Sequence, residues 1–142
     1  MQSVHSLKQQ SQVDGWDHQD PEEAFTLQSR YFFDETLFKA ERDNIFIHTW
    51  HVAGHVSEFA EPGQYVVCDL FDQSVVVAKN RQGQIHAFHN VCQHRGNRLL
   101  EDRRGTTGGV VRCAYHSWCY EMDGSLRGAP RCDRMKNFEL QA

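Results

Sequence analysis

The 142-residue sequence predicts a mostly β, antiparallel domain entered through a helical N-terminal segment. Three observations predict it. Apolar residues recur at helical spacing only near Asp34 to Ile45. After Trp50 the period falls to two, in short runs rich in Val, Ile, Phe and Tyr. Turn-forming clusters, Glu61-Pro62-Gly63 and Asn80-Arg81-Gln82-Gly83, separate those runs.

Taken in order, residues 1–20 are polar, rich in Gln, Ser, Asp and His, and read as a mobile arm. Residues 21–49 form a helical lead-in. There Leu37, Phe38, Glu41 and Ile45 share helical spacing, and Asp34 stands where an N-cap accepts the first free amide hydrogens. A helix of about three turns is expected. The domain proper is expected over 50–142, with strands at 50–56, 65–70, 75–79, 85–88 and 110–112. Turn-rich stretches at 93–97 and 114–118 then fall inside a small lobe spanning about residues 89–122.

Composition excludes several partners. Net charge is −4, and the 15 Lys and Arg residues are spread along the chain without a basic stripe, so no nucleic-acid partner is expected. No run approaches the roughly 18 apolar residues of a membrane span, and the N-terminus has no apolar leader; a cytoplasmic protein with no membrane partner is the expectation. Five cysteines, an odd number without a secretion signal, argue for metal or catalytic use over a disulfide scaffold.

The chemistry concentrates in Cys92-Gln93-His94 and, after eighteen intervening residues, Cys113-Ala114-Tyr115-His116. Each stretch offers one thiolate and one imidazole. Two loop tips of that kind, facing each other, supply two Cys to one iron and two His to the other iron of a Rieske-type 2Fe-2S cluster. A tetrahedral Cys2His2 zinc site uses the same residue types, but C-x-H is not a usual zinc-finger pair. His48, His51 and His55, beside Glu41 and Asp43, have the composition of a 2-His-1-carboxylate iron site; a strand over 50–56 leaves them as ordinary surface histidines, and His86 and His89 read the same way. Cys68 alternates with Val66 and Val67 as a small buried residue. Cys119 and Cys132 are minor candidates for a redox role.

Cys92-Gln-His-Arg-Gly96 and Cys113-Ala-Tyr-His-Ser-Trp118, followed by Tyr120 and Asp123-Gly124, resemble the N-terminal Rieske domain of ring-hydroxylating oxygenase large subunits. The likeness extends to Glu41, Ile45, Phe46, Trp50, Gly54-His55, Gly63, the Gly83 turn and the run Ala87-Phe88-His89-Asn90-Val91, covering about residues 26–130. It implies an antiparallel β base carrying a small cluster-binding lobe, with Cys92, His94, Cys113 and His116 as ligands and the histidine edges near the surface. It also implies single electrons accepted from a reductase or ferredoxin and passed to a mononuclear-iron oxygenase domain or subunit, within an oligomer in some members. That catalytic domain is expected to lie outside this chain, which then holds no catalytic residue and is not a complete oxygenase alone. The alternatives are a free-standing Rieske ferredoxin, which lacks so long an N-terminal extension, and a non-catalytic or zinc-binding relic of the fold.

Departures from the family pattern leave the four ligands intact: Ala114 replaces a usual Pro, Cys119 a Thr or Ser, and the gap between ligand pairs is slightly long. Respiratory Rieske proteins brace their loops with a disulfide between positions held here by Asn97 and Tyr115. They also place a sulfur-binding Ser where this chain has Trp118. Fewer donors to the cluster imply a potential on the order of −150 to 0 mV. Tyr115 and Trp118 flank His116 and are candidates to shield the site.

Overall fold

The computed structural model describes residues 27–134 and 138; the polar arm expected over 1–20 lies outside them. Two compact units divide after His51. In the first, a 3-10 turn Ser29–Phe32 leads into α1, Glu35–Asn44. The Asp34 carboxylate accepts hydrogen bonds from the amides of Thr36 at 2.8 Å and Leu37 at 3.3 Å, as an N-cap should. A second 3-10 turn, Phe46–His48, follows.

In the second unit, β1 (Gln64–Leu70), β2 (Gln73–Lys79), β3 (Ile85–His89) and β4 (Arg104–Thr106) make an antiparallel sheet in the order β3-β2-β1-β4. A second antiparallel sheet joins β5 (Val110–Arg112), β6 (Cys119–Glu121) and β7 (Leu126–Gly128). Register pairs Tyr65 with Ala78 and Val67 with Val76, which puts all four on one face, while Val66 opposite Val77 points to the other. The first face joins the main core with Leu99, Val111, Tyr120, Met122, Cys92 and Cys113. The second packs under Phe59. β1 therefore reads Tyr65-Val66-Val67 as a continuous apolar run because both its faces are covered. Gly63, at φ +88°, sits where an added Cβ would strike the Thr107 carbonyl, and its own carbonyl accepts the Thr107 amide at 2.9 Å.

One expected strand is absent. Residues 50–55 are irregular and 56–59 form a 3-10 turn, Val56–Phe59. His55 caps that turn: Ser57 N donates to His55 Nδ1 at 3.3 Å, and Glu58 Oε2 accepts the His55 amide at 2.9 Å. The capping box outcompetes strand pairing, and Arg104 on β4 holds Glu58 at 2.9 Å. Three strands, β4, β6 and β7, were not expected from the sequence; at three residues each they are too short to show a period.

Candidate metal centre

Two loops built on one plan carry the four donors. In the first, an isolated bridge between Val91 and Arg98 closes the base. The Cys92 amide donates to Asn97 O at 2.7 Å, and the Gly96 amide to Cys92 O at 2.8 Å. In the second, the Cys113 amide donates to Trp118 O at 2.8 Å, and the Ser117 amide to Cys113 O at 3.0 Å. Each loop starts at a cysteine and turns at the fourth residue after it, in the left-handed region: Gly96 at φ +70° and Ser117 at φ +61°. The plan drives both cysteines into the core, each 2% exposed, and carries the histidines outward on the turns.

The Cys113 thiol is primed as a metal donor. Burial raises the Cys113 thiol, but the backbone amides of Tyr115 and His116, with Cys92 and Asn97, more than offset it and hold the thiol below its ordinary range, which favours the thiolate that binds metals. Tyr120 donates its hydroxyl to Cys92 Sγ at 3.2 Å and accepts the Gln93 amide at 2.9 Å. Burial, then the bond to Cys92, pushes the Tyr120 hydroxyl far above its usual range, so it stays a donor. Asn97, at a position where respiratory proteins have a bridging cysteine, helps hold the Cys113 thiol down while its side-chain amide donates to Arg98 O at 2.6 Å.

The imidazoles meet at 4.7 Å between ring centroids, 75° apart. His94 is half-buried and stacks on Trp118 at 4.9 Å and 8°. Its Nδ1 is buried with no hydrogen-bond partner. A buried nitrogen in that condition costs about 1–3 kcal/mol, and a metal ion relieves it. His116 is exposed and lies against Tyr115 at 3.7 Å. Desolvation by its neighbours, then His94 and Arg95, lowers the His116 imidazole below its ordinary value, toward the neutral form a metal needs. Two buried thiols and two adjacent rings with an orphaned nitrogen fit a cluster that takes two sulfurs on one iron and two nitrogens on the other.

Several of the remaining candidates have partners of their own. His51 Nε2 contacts Phe46 O at 2.6 Å, His55 caps its turn, and His86 contacts Asn80. Cys68 is half-buried, its thiol donating to Ala53 O at 3.1 Å and raised chiefly by burial. Cys119 donates to Ser117 O at 3.4 Å.

Asn90 is a residue the sequence reading passed over except as part of a resemblance. It is buried, and its side chain accepts the Leu99 and Leu100 amides at 3.2 and 2.9 Å and donates to Leu100 O at 2.8 Å. It thereby clamps the chain that leaves β3 and enters the first loop to the irregular segment that leaves that loop. The available signal was a lone Asn between an apolar strand and a cysteine.

Comparison with known proteins places these residues in context. Residues 49–139 match the model of the Rieske [2Fe-2S] domain. The carnitine monooxygenase oxygenase subunit of Escherichia coli (strain K12) is 36% identical over 119 residues, covering 84% of this chain and 32% of the relative. The glycine betaine monooxygenase oxygenase subunit of Chromohalobacter salexigens is 38% identical over 117 residues, covering 82% and 26%. The crystal structure of the quaternary ammonium Rieske monooxygenase CntA with L-carnitine superposes with a TM-score of 0.78 at 32% identity, covering 83% of this chain and 33% of that one. Naphthalene 1,2-dioxygenase from Rhodococcus sp. gives 0.72 at 33% identity, covering 78% and 26%. The chain spans about a third or less of the length of these relatives.

Proposed function

The chain belongs to the Rieske [2Fe-2S] domain family, and from that membership we propose that Cys92 and Cys113 hold one iron of its cluster and His94 and His116 the other. When bound, the cluster takes up and releases one electron at a time. The lobe over about residues 89–122 is its carrier, and the orphaned, buried Nδ1 of His94 is the observation that supports the ligand set most directly. Around it, Tyr120 offers a hydrogen-bond donor to the Cys92 sulfur, and the paired loops hold the donor atoms in register.

The module serves an oxygenase, receiving electrons from a reductase or ferredoxin and passing them to a mononuclear iron. We assign the substrate to the quaternary ammonium class. Support comes from the carnitine and glycine betaine monooxygenase relatives. An oxygenase carrying this module that consumed naphthalene and neither carnitine nor glycine betaine would overturn that assignment. A cytoplasmic setting, where thiols stay reduced, suits five free cysteines; no helix among the described residues is long and apolar enough to cross a membrane.

The test is spectroscopic. The purified protein should contain two irons and two acid-labile sulfides per chain. Dithionite should bleach its visible absorption and produce the EPR signal of a reduced 2Fe-2S pair with nitrogen couplings from two histidines. A colourless protein holding one zinc, or an iron protein without nitrogen couplings, would sink the reading.

A further inference from the structure

The two imidazoles of the site are not equivalent, and one aromatic side chain makes the difference. The Trp118 indole lies flat on the face of His94, 4.9 Å away and within 8° of parallel. Phe138 meets the indole edge-on at 5.6 Å. Trp118 packs against the main core, and its carbonyl accepts the Cys113 amide that closes the second loop. The indole is thus held from its backbone, its edge and its face. His94 beneath it keeps a buried Nδ1 without a partner, while His116, in the same pair, is exposed.

A side chain free to rotate would turn an unsatisfied nitrogen toward water, because leaving it buried and unpaired is unfavourable. A flat ring pressed on the imidazole face opposes that rotation and displaces the water that would reward it. We propose that Trp118 is a positioning residue for the cluster: it holds the His94 ring with Nδ1 turned inward and keeps water from that ligand, leaving His116 as the open one. The proposal rests on the ligand assignment above. It also gives the position that carries a sulfur-binding Ser in respiratory Rieske proteins a different task in this chain, as a lid over one histidine.

The test compares the cluster-loaded chain with Trp118→Phe, Trp118→Leu and Trp118→Ala. Two quantities are read: the rate at which an excess ferrous chelator captures iron from the reduced protein, and the two histidine nitrogen couplings in pulsed EPR. Phe keeps a flat face and should stay within about twofold of wild type, whereas Leu and Ala should lose iron on the order of tenfold faster. One nitrogen coupling should change in the Leu and Ala variants and the other should persist. Where the Ala variant does not fold, the Leu and Phe variants decide the matter, since both fill the space and only one stacks. Leu protecting as well as Phe, with both couplings unchanged, would overturn the proposal. A wild-type preparation without iron and sulfide would instead overturn the ligand assignment beneath it.

Discussion

A reduced cluster carries one more negative charge than an oxidised one, so with Cys92 as a ligand, as proposed above, the Tyr120 hydroxyl at 3.2 Å from Cys92 Sγ would stabilise the reduced form more than the oxidised one. Tyr120→Phe removes the donor and keeps the ring that fills the core. A loss of about 1 kcal/mol of differential stabilisation corresponds to a midpoint potential lower by on the order of 40 mV for one electron. A spectroelectrochemical titration checks it, and an unshifted midpoint would mean that the hydroxyl serves packing alone. At the same scale, Cys92→Ser or Cys113→Ser should abolish the cluster absorption, and Cys68→Ser, outside the paired loops and bonded to Ala53 O, should leave it unchanged.

The loops and hairpins obey backbone rules that the sequence shows unevenly. Gly96 and Ser117 occupy the same place in the two loops, both left-handed, yet only one is glycine. Ser117→Gly should raise thermal stability, by about 1 kcal/mol, because a side chain there carries a backbone penalty. Gly96→Ala should lower it by a similar amount, since a Cβ at Gly96 meets no atom within 4 Å and the cost is conformational alone. In the hairpin joining β6 to β7, Asp123 accepts the Ser125 hydroxyl at 2.6 Å and amide at 2.9 Å. The Ser125 hydroxyl, then its amide, holds the Asp123 carboxyl below the usual carboxylate range. A depressed folded value means stability that is present above the unfolded value and lost as pH falls through the folded one. Asp123→Asn should therefore cost about 0.5–1 kcal/mol near neutral pH, less than a buried bond because the group is exposed. Denaturant melts of both proteins should converge in acid, and a gap that persists there would assign the loss to hairpin geometry and not to charge. The same unevenness decided what could be read from the sequence. Strands β1 to β3 and the Asp34 cap announce themselves through period and side-chain chemistry, and the ligand spacing is visible residue by residue. The 50–56 segment misled because alternating apolar residues there are overruled by a local His55 cap, and the orphaned His94 nitrogen and the Trp118 stack belong to tertiary packing that no local pattern encodes.

Charge is distributed over the molecule so that the site differs from the chain that carries it. The whole sequence is acidic, at −4, yet residues 91–98 and 112–119 contain no Asp or Glu and three arginines. Arg98 is held by Asp69 at 3.1 Å. Arg95 and Arg112 are exposed, and neither has an ion-pair partner among the described residues. Arg95, on the first loop, and Arg112, at the end of β5 leading into the loop that carries the exposed His116, leave a local excess of positive charge on an acidic chain, a field that would steer an acidic electron donor toward the open histidine. Reduction by an acidic 2Fe-2S ferredoxin, followed by stopped flow, should slow as salt rises, since exposed charges are screened over about 8–10 Å at 0.1–0.15 M. Reversing both charges, Arg95→Glu with Arg112→Glu, should lower the low-salt rate on the order of tenfold and flatten its salt dependence, with the EPR spectrum and iron content unchanged. If the double variant were reduced as fast as wild type at low salt, the donor would have to approach the cluster from another face, and the positive loops would owe their charge to something other than electron entry.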